Sequence, residues 1–208
     1  TDHREFLQKA DIEAVIIAVP DAFHVPLAIE CLAAGKHVLI EKPVATNSKE
    51  AAELQRVVNA TSLKALVGNM KRHDPGIQFA KEFVDKKIGE LLSINGWYCD
   101  TQLRPSLQET LLAPPLASAK AKRPSVDPRA DKENYNLITH GIHLVNTLQF
   151  LGGPVKRLAG KMAQRFGSHS WHAVVEYANG AIGHIELTVK IRSDWSEGFE
   201  AHGEHGSV

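Results

Sequence analysis

A glutamate, a lysine and a proline stand together at Glu41, Lys42 and Pro43, directly after the apolar run His37–Ile40. A short run of that kind reads as a strand, and an α/β sheet presents its ligand-binding groups at strand ends. A lysine placed there can hydrogen-bond a substrate oxygen and favour negative charge developing on it. To carry a proton itself, it would need its ordinary pKa of ~10.4 lowered by burial or by a neighbouring cation. The alternative is a solvated Glu–Lys turn closed by proline. A second strand end, after Ala14–Ala18, offers Val19, Pro20, Asp21 and, one turn into the next helix, His24. A third cluster lies on one predicted helix over 136–151. Leu137, Gly141, Leu144, Leu148 and Leu151 share one side of its wheel, and Asn136, Thr139, His140, His143, Asn146 and Thr147 share the other. A solvent-facing side normally collects Lys and Glu, so this uncharged polar arc is expected to line a cavity. His140 and His143, at i and i+3, admit three readings. They are metal ligands, although no Glu or Cys accompanies them on the helix; or structural histidines with satisfied nitrogens; or acid/base groups facing a pocket.

The elements that must position these residues alternate in the first half. Ala14–Ala18 is a β-branched apolar run of the sort buried on both faces of a parallel sheet. Val25, Ala28, Ile29 and Leu32 follow at helical spacing, with Pro26 in the first turn and Gly35 past the end. Asn47 and Glu50 form a capping-box pattern ahead of Ala51, Leu54, Val57 and Val58. Leu63–Val67 reads as a third strand, and Asp74–Pro75 opens a helix closed by Gly89. Strand–helix alternation implies βαβ units in a doubly wound parallel sheet. The second half reads as an antiparallel sheet. Leu91–Cys99 is strand-like, and Trp171–Tyr177 and Ile185–Ile191 alternate about Asn179–Gly180, which suits a type I′ hairpin turn. Residues 101–135, with five prolines and little periodicity, read as an insert. The expected domains are 1–88 and 89–208.

With 24 basic and 24 acidic residues the chain is formally neutral, so no basic excess exists to bind a nucleic acid or an anionic membrane. No apolar run approaches the ~20 residues needed to span a bilayer. Cys31 and Cys99 stand far apart with no C-x-x-C pair, which excludes a disulfide framework or cysteine zinc site and suits a reducing, cytoplasmic setting.

Taken in order, Ala14–His24, the run Ala34-Gly-Lys-His-Val-Leu-Ile-Glu-Lys-Pro43, Gly68–Pro75, Thr139–His143 through Gly153, and Tyr177–Ala181 resemble the Gfo/Idh/MocA family of NAD(P)-dependent oxidoreductases. The resemblance covers nearly the whole chain apart from the insert. It implies a Rossmann domain followed by a substrate domain with an open, mostly antiparallel sheet. It implies hydride transfer between NAD or NADP and a hydroxyl-bearing carbon of a sugar, sugar derivative or cyclitol. Lys42 falls on the family's catalytic lysine, and Glu41 and Pro43 complete that motif, whose Lys–Pro bond is often cis. His143 falls on the acid/base histidine of the family's D-x-x-x-H helix. Val19, Pro20, Asp21 and His24 fall on the cofactor turn, and Asn69 near the nicotinamide. Arg72, His140 and His143, with Lys42, are the implied substrate contacts, and no metal is implied.

Two departures stand out. The aspartate of D-x-x-x-H is Thr139, which cannot carry the negative charge that stabilises an imidazolium, so His140 is a candidate for a compensating role. The aromatic residue usual after Arg72 is His73. The family's G-x-G-x-x-G phosphate turn occurs nowhere in the 208 residues. The resemblance therefore implies an internal fragment, inactive alone, of a larger enzyme that associates as a homo-oligomer. Two other readings stay open: an NAD-dependent glycosidase on the same scaffold, and a non-catalytic binding homologue.

Overall fold

The computed structural model describes residues 3–8, 11–102, 124–125 and 130–208. The described residues form two compact units, 3–69 with 124–125, and 70–102 with 130–208. Most of the insert expected over 101–135 lies outside the described residues.

The first unit runs α1 (His3–Leu7), β1 (Ala14–Ile17), α2 (His24–Ala33), β2 (His37–Ile40), α3 (Ser48–Asn59) and β3 (Ala65–Val67). Its three strands pair in parallel in the order β1-β2-β3, with Ile17 opposite Ile40 and Ile40 opposite Val67. Ile17, Val38 and Ile40 point to one face and pack with Val25, Leu32 and Leu54 of α2 and α3. The opposite face departs from the expectation of burial on both sides, because Ile16 is 72% and Leu66 55% exposed. An apolar run identifies a strand but does not count the layers over it. Asn47 caps α3 by accepting the Glu50 amide at 3.0 Å. Glu50 does not complete a reciprocal box; its carboxylate accepts from the Thr46 amide and hydroxyl at 3.2 and 2.8 Å.

The second unit starts with a 3₁₀ turn at Met70–His73, then α4 (Pro75–Lys86), β4 (Leu91–Thr101), α5 (Lys132–Gly152), β5 (Val155–Arg165), β6 (Ser168–Tyr177), β7 (Ile182–Ile191), β8 (Ser196–Gly203) and β9 (Gly206–Ser207). The six strands lie in the order β5-β6-β7-β4-β8-β9, antiparallel except for β4 against β7. Helix α4 belongs to this unit, which places the boundary after Asn69 and not near Gly89. Its Ala80, Phe83 and Val84 pack with Ile88, Ile94 and Leu148. Helix α5 starts earlier than the apolar periodicity suggests, because Asp131 caps it by accepting the Asn134 amide at 3.0 Å. The helix seats closely on the sheet at Gly96, where an added Cβ would come within 2.8 Å of the Leu148 methyls and 2.9 Å of Leu144.

The β6–β7 connection differs from the expected type I′ turn. The Gly180 amide bonds the Tyr177 carbonyl at 3.1 Å, and among the two turn residues only Gly180 has positive φ, at 91°. This is a three-residue loop ending in a left-handed glycine. At its far end β7 carries a bulge. Cys99 pairs with Thr188 but Thr101 with Ile191, so β7 holds one extra residue, and Lys190 there has φ 61°.

Candidate active site

In the first unit the strand ends are tied in register. The Glu41 amide bonds the Ile17 carbonyl at 3.0 Å and the Gly68 amide bonds the Ile40 carbonyl at 2.8 Å. The loops carrying Val19–Asp21, Glu41–Pro43 and Asn69 therefore leave one edge of one sheet. His24 is 1% exposed, and its ring joins two of these loops, Nδ1 to the Pro43 carbonyl at 2.7 Å and Nε2 to the Val19 carbonyl at 2.8 Å. Both ring nitrogens are thus engaged by the protein, so His24 shapes the edge and presents no free nitrogen to a ligand. The Lys42–Pro43 bond is cis. The Lys42 amide donates to the Glu41 carboxylate at 3.1 Å, and Lys42 itself is half-buried, which differs from a fully solvated turn.

The residues of this edge fit the nicotinamide end of a dinucleotide. In a parallel α/β sheet that end binds outside the carboxyl ends of the strands, and here three such ends are held rigidly by backbone bonds and by a buried ring. The glycine turn that cradles the phosphates is not among the 208 residues.

In the second unit the uncharged arc of α5 faces inward. Asn136 and Thr147 are buried, and the Asn136 side-chain amide lies 3.4 Å from His169 of β6. His143 and Thr147, with Tyr98 and Trp97 of β4, Lys71 of the turn and Glu197 of β8, line a cavity of about 330 Å³. That volume falls at the lower end of small-molecule sites. Tyr98 is the shared wall: its ring centroid lies 6.5 Å from His143, nearly parallel at 14°, and 5.8 Å from His140. Lys71 pairs with Glu197 across the cavity and lies 5.9 Å over the Trp195 ring.

The expected substrate contacts separate. Arg72 does not line the cavity; its Nε donates to Asn146 at 2.8 Å and its guanidinium lies 4.9 Å over Phe150, so it anchors the turn to α5. His73 is exposed. The Thr139 hydroxyl donates to its own helix, at the Tyr135 carbonyl 2.6 Å away. His140 has the Asp100 carboxylate 3.8 Å from its Nε2. Lys42 lies in the first unit, and Arg72, Thr139, His140 and His143 in the second. Among the described residues, no group of three or more His, Cys, Asp or Glu side chains is arranged to hold a metal ion.

Sequence reasoning missed Lys71, Tyr98, Asp100 and Glu197. Lys71 and Glu197 are brought together only by the pairing of β8 with β4, and nothing local marks either. Tyr98 and Asp100 share a face of a strand-like run, and their period-two spacing with Ile94 and Gly96 was a usable signal.

Residues 1–69 match the sequence pattern described as "Oxidoreductase family, NAD-binding Rossmann fold", and residues 77–208 match the "GFO/IDH/MocA C-terminal domain". The chain is 26% identical to levoglucosan dehydrogenase of Pseudarthrobacter phenanthrenivorans, over 100% of this chain and 57% of the relative. It is 26% identical to inositol 2-dehydrogenase of Rubrobacter xylanophilus, over 100% and 55% respectively. The chain thus spans little more than half the length of these curated relatives. Its fold resembles levoglucosan dehydrogenase in complex with NADH at a TM-score of 0.80 and 23% identity, covering 100% of this chain and 56% of that one. It also resembles a scyllo-inositol dehydrogenase from Lactobacillus casei with bound NAD(H) and scyllo-inositol, at 0.75 and 20%, covering 100% and 60%.

Proposed function

The chain belongs to the Gfo/Idh/MocA oxidoreductase family, and from that premise we propose that it carries the reacting residues of a nicotinamide-dependent dehydrogenase acting on a sugar, sugar derivative or cyclitol. The observation that carries this reading is the histidine-bearing, aromatic-walled cavity of the second unit, and the rigid E-K-P strand end of the first unit supports it separately. A neutral polyol suits that cavity. The Tyr98 and Trp97 rings offer apolar faces to ring C–H groups, and Lys71, Glu197, Thr147 and His143 offer donors and acceptors to hydroxyls.

Val19, Pro20, Asp21, Glu41, Pro43 and Asn69 would border the nicotinamide, with His24 holding their loops. A nicotinamide bound there supplies a two-electron acceptor for the hydrogen on the alcohol carbon. Lys42 donates a hydrogen bond to the reacting hydroxyl and favours its developing negative charge. His143 accepts the hydroxyl proton through a neutral ring nitrogen, as the C–O bond becomes a carbonyl. Neighbours crystallised with NADH or NAD(H) make NAD the cofactor to test first, with NADP as the alternative. The two free cysteines suit a cytoplasmic setting, and the exposed Val174 and Ile182, on the sheet face away from α5, suit association of copies into a homo-oligomer.

The test is nicotinamide reduction by the full-length protein against a panel of cyclitols and sugars. Lys42→Ala and His143→Ala should each lower kcat/KM by about 100-fold or more. Unchanged turnover in both variants would overturn these roles. Thr139 favours a second reading, a binding homologue without catalysis. Binding of a polyol with no turnover, restored by Thr139→Asp, would select it.

A further inference from the structure

We propose that Asp100 is a positioning residue for the histidines of α5: its carboxylate holds His140 and supplies this helix face with the negative charge that Thr139 does not carry. The proposal rests on the proton-acceptor role given above to that face.

Four observations carry it. The Thr139 hydroxyl is turned onto its own helix, donating to Tyr135 at 2.6 Å. Asp100 stands at ion-pair distance, 3.8 Å, from His140 Nε2, with its side chain only 15% and that of His140 25% exposed. A carboxylate largely out of water at that range favours the protonated ring. Tyr98, two residues earlier on the same face of β4, lies against both His140 and His143, so Asp100 extends the wall that these histidines already share. Finally, the end of β4 is fixed by a device that local sequence does not require. The extra residue of β7 sits opposite Asp100, and Lys190 there takes φ 61°. The Lys190 carbonyl receives both the Ser168 hydroxyl, at 2.6 Å, and the Gln102 side-chain amide. Bulges re-aim side chains beside functional sites, and a non-glycine residue keeps positive φ only where its surroundings hold it.

Other charged and titratable groups stand on the elements packed against α5: Cys99, next to Asp100 on β4, feels both Asp100 and Glu186 of β7, and several described groups meet partners of their own. Arg72 is held by Asn146 and Phe150, Lys81 lies over Phe150 and pairs with Asp85, and Lys71 pairs with Glu197. His169 of β6 meets Asn136, and β7 approaches Gly141 through apolar Leu187.

The test is a pH titration of the His140 and His143 ring protons by NMR, which needs neither cofactor nor substrate. In Asp100→Asn the His140 midpoint should fall by roughly one pH unit or more, since a carboxylate ~4 Å away acts across a partly buried, weakly screened gap. In the double variant Asp100→Asn/Thr139→Asp it should return towards the wild-type value. Should Asp100→Asn not fold, Asp100→Ser gives the same reading: the His140 midpoint must fall by a similar amount. An unmoved midpoint in either variant overturns the proposal. With a reactive polyol, Asp100→Asn should lower kcat at constant KM and shift the acid limb of the kcat/KM profile to lower pH. A uniform loss with an unshifted limb would make Asp100 merely structural and also overturn it. A wild-type protein that shows the coupling but oxidises no polyol overturns the dehydrogenase reading and leaves the pairing standing.

Discussion

Both ring nitrogens of His24 lie within hydrogen-bond distance of carbonyl oxygens, the Pro43 carbonyl at 2.7 Å and the Val19 carbonyl at 2.8 Å. The residue is therefore a strut between the loops that follow β1 and β2, and its value lies in geometry. His24→Ala removes both contacts and empties a buried site between the two loops, so it should cost about 2–4 kcal/mol. Urea unfolding followed by far-UV circular dichroism measures this, and a change below about 0.5 kcal/mol would mean that the loops hold themselves. Glu50 makes a pH-dependent contribution at the same scale. Hydrogen bonds from Thr46 hold its carboxyl below the ordinary 4.5 in the folded state. A folded pKa below the unfolded one stabilises at pH values above the unfolded pKa, and that contribution is lost as pH falls through the folded value. The stability gap between wild type and Glu50→Gln should accordingly be largest at neutral pH and close below pH ~4.5. A gap that does not change between pH 7 and acid would assign the effect to the Asn47 cap alone.

At the scale of elements, the seating of α5 on β4 decides whether the polar arc points into the cavity. Gly96 permits that approach, and Gly96→Ala would drive a methyl against Leu144 and Leu148. Overpacking of this kind costs about 1–3 kcal/mol, and the displaced helix should also weaken polyol binding; equal stability and equal binding in the variant would show that the helix has room to lift. Elements with one dominant period were readable from sequence for the same reason that they pack well. β2 emerges over the very residues His37–Ile40, and Leu144, Leu148 and Leu151 of α5 fall in the core. β5 was not readable, because every one of its residues is exposed and its inward positions, Leu158, Gly160 and Met162, include a glycine. Nor was the site complete in the sequence. Lys42 and His143 carry motifs, whereas Asp100, Lys71 and Glu197 acquire meaning only from partners on other elements. Arg72 shows the converse, a charged residue inside a motif whose charge is taken up by an asparagine and a phenylalanine ring.

At the scale of the whole molecule, the two units have separate cores, one around Ile17, Val38 and Ile40 and one around Leu148, Val175 and Tyr177. Separate cores allow separate unfolding. The chain supplies a clean probe, because its three tryptophans, Trp97, Trp171 and Trp195, all lie in the second unit. Tryptophan fluorescence should therefore follow the second unit, while circular dichroism follows both, and the two curves should not coincide in urea. Tyr177 then separates the units by pH. Burial pushes its phenol up to about 12, and it is 1% exposed within the second core. A folded pKa above the unfolded ~10 gives a contribution fully present below pH 10 and lost as pH rises through about 12, worth at most about 2–3 kcal/mol. The fluorescence transition should fall in midpoint between pH 10 and 12, and Tyr177→Phe should remove most of that fall while leaving the first unit's transition unmoved. Coincident transitions by both probes at every pH would mean that the two units unfold as one, and an alkaline fall retained in Tyr177→Phe would place its origin in another group.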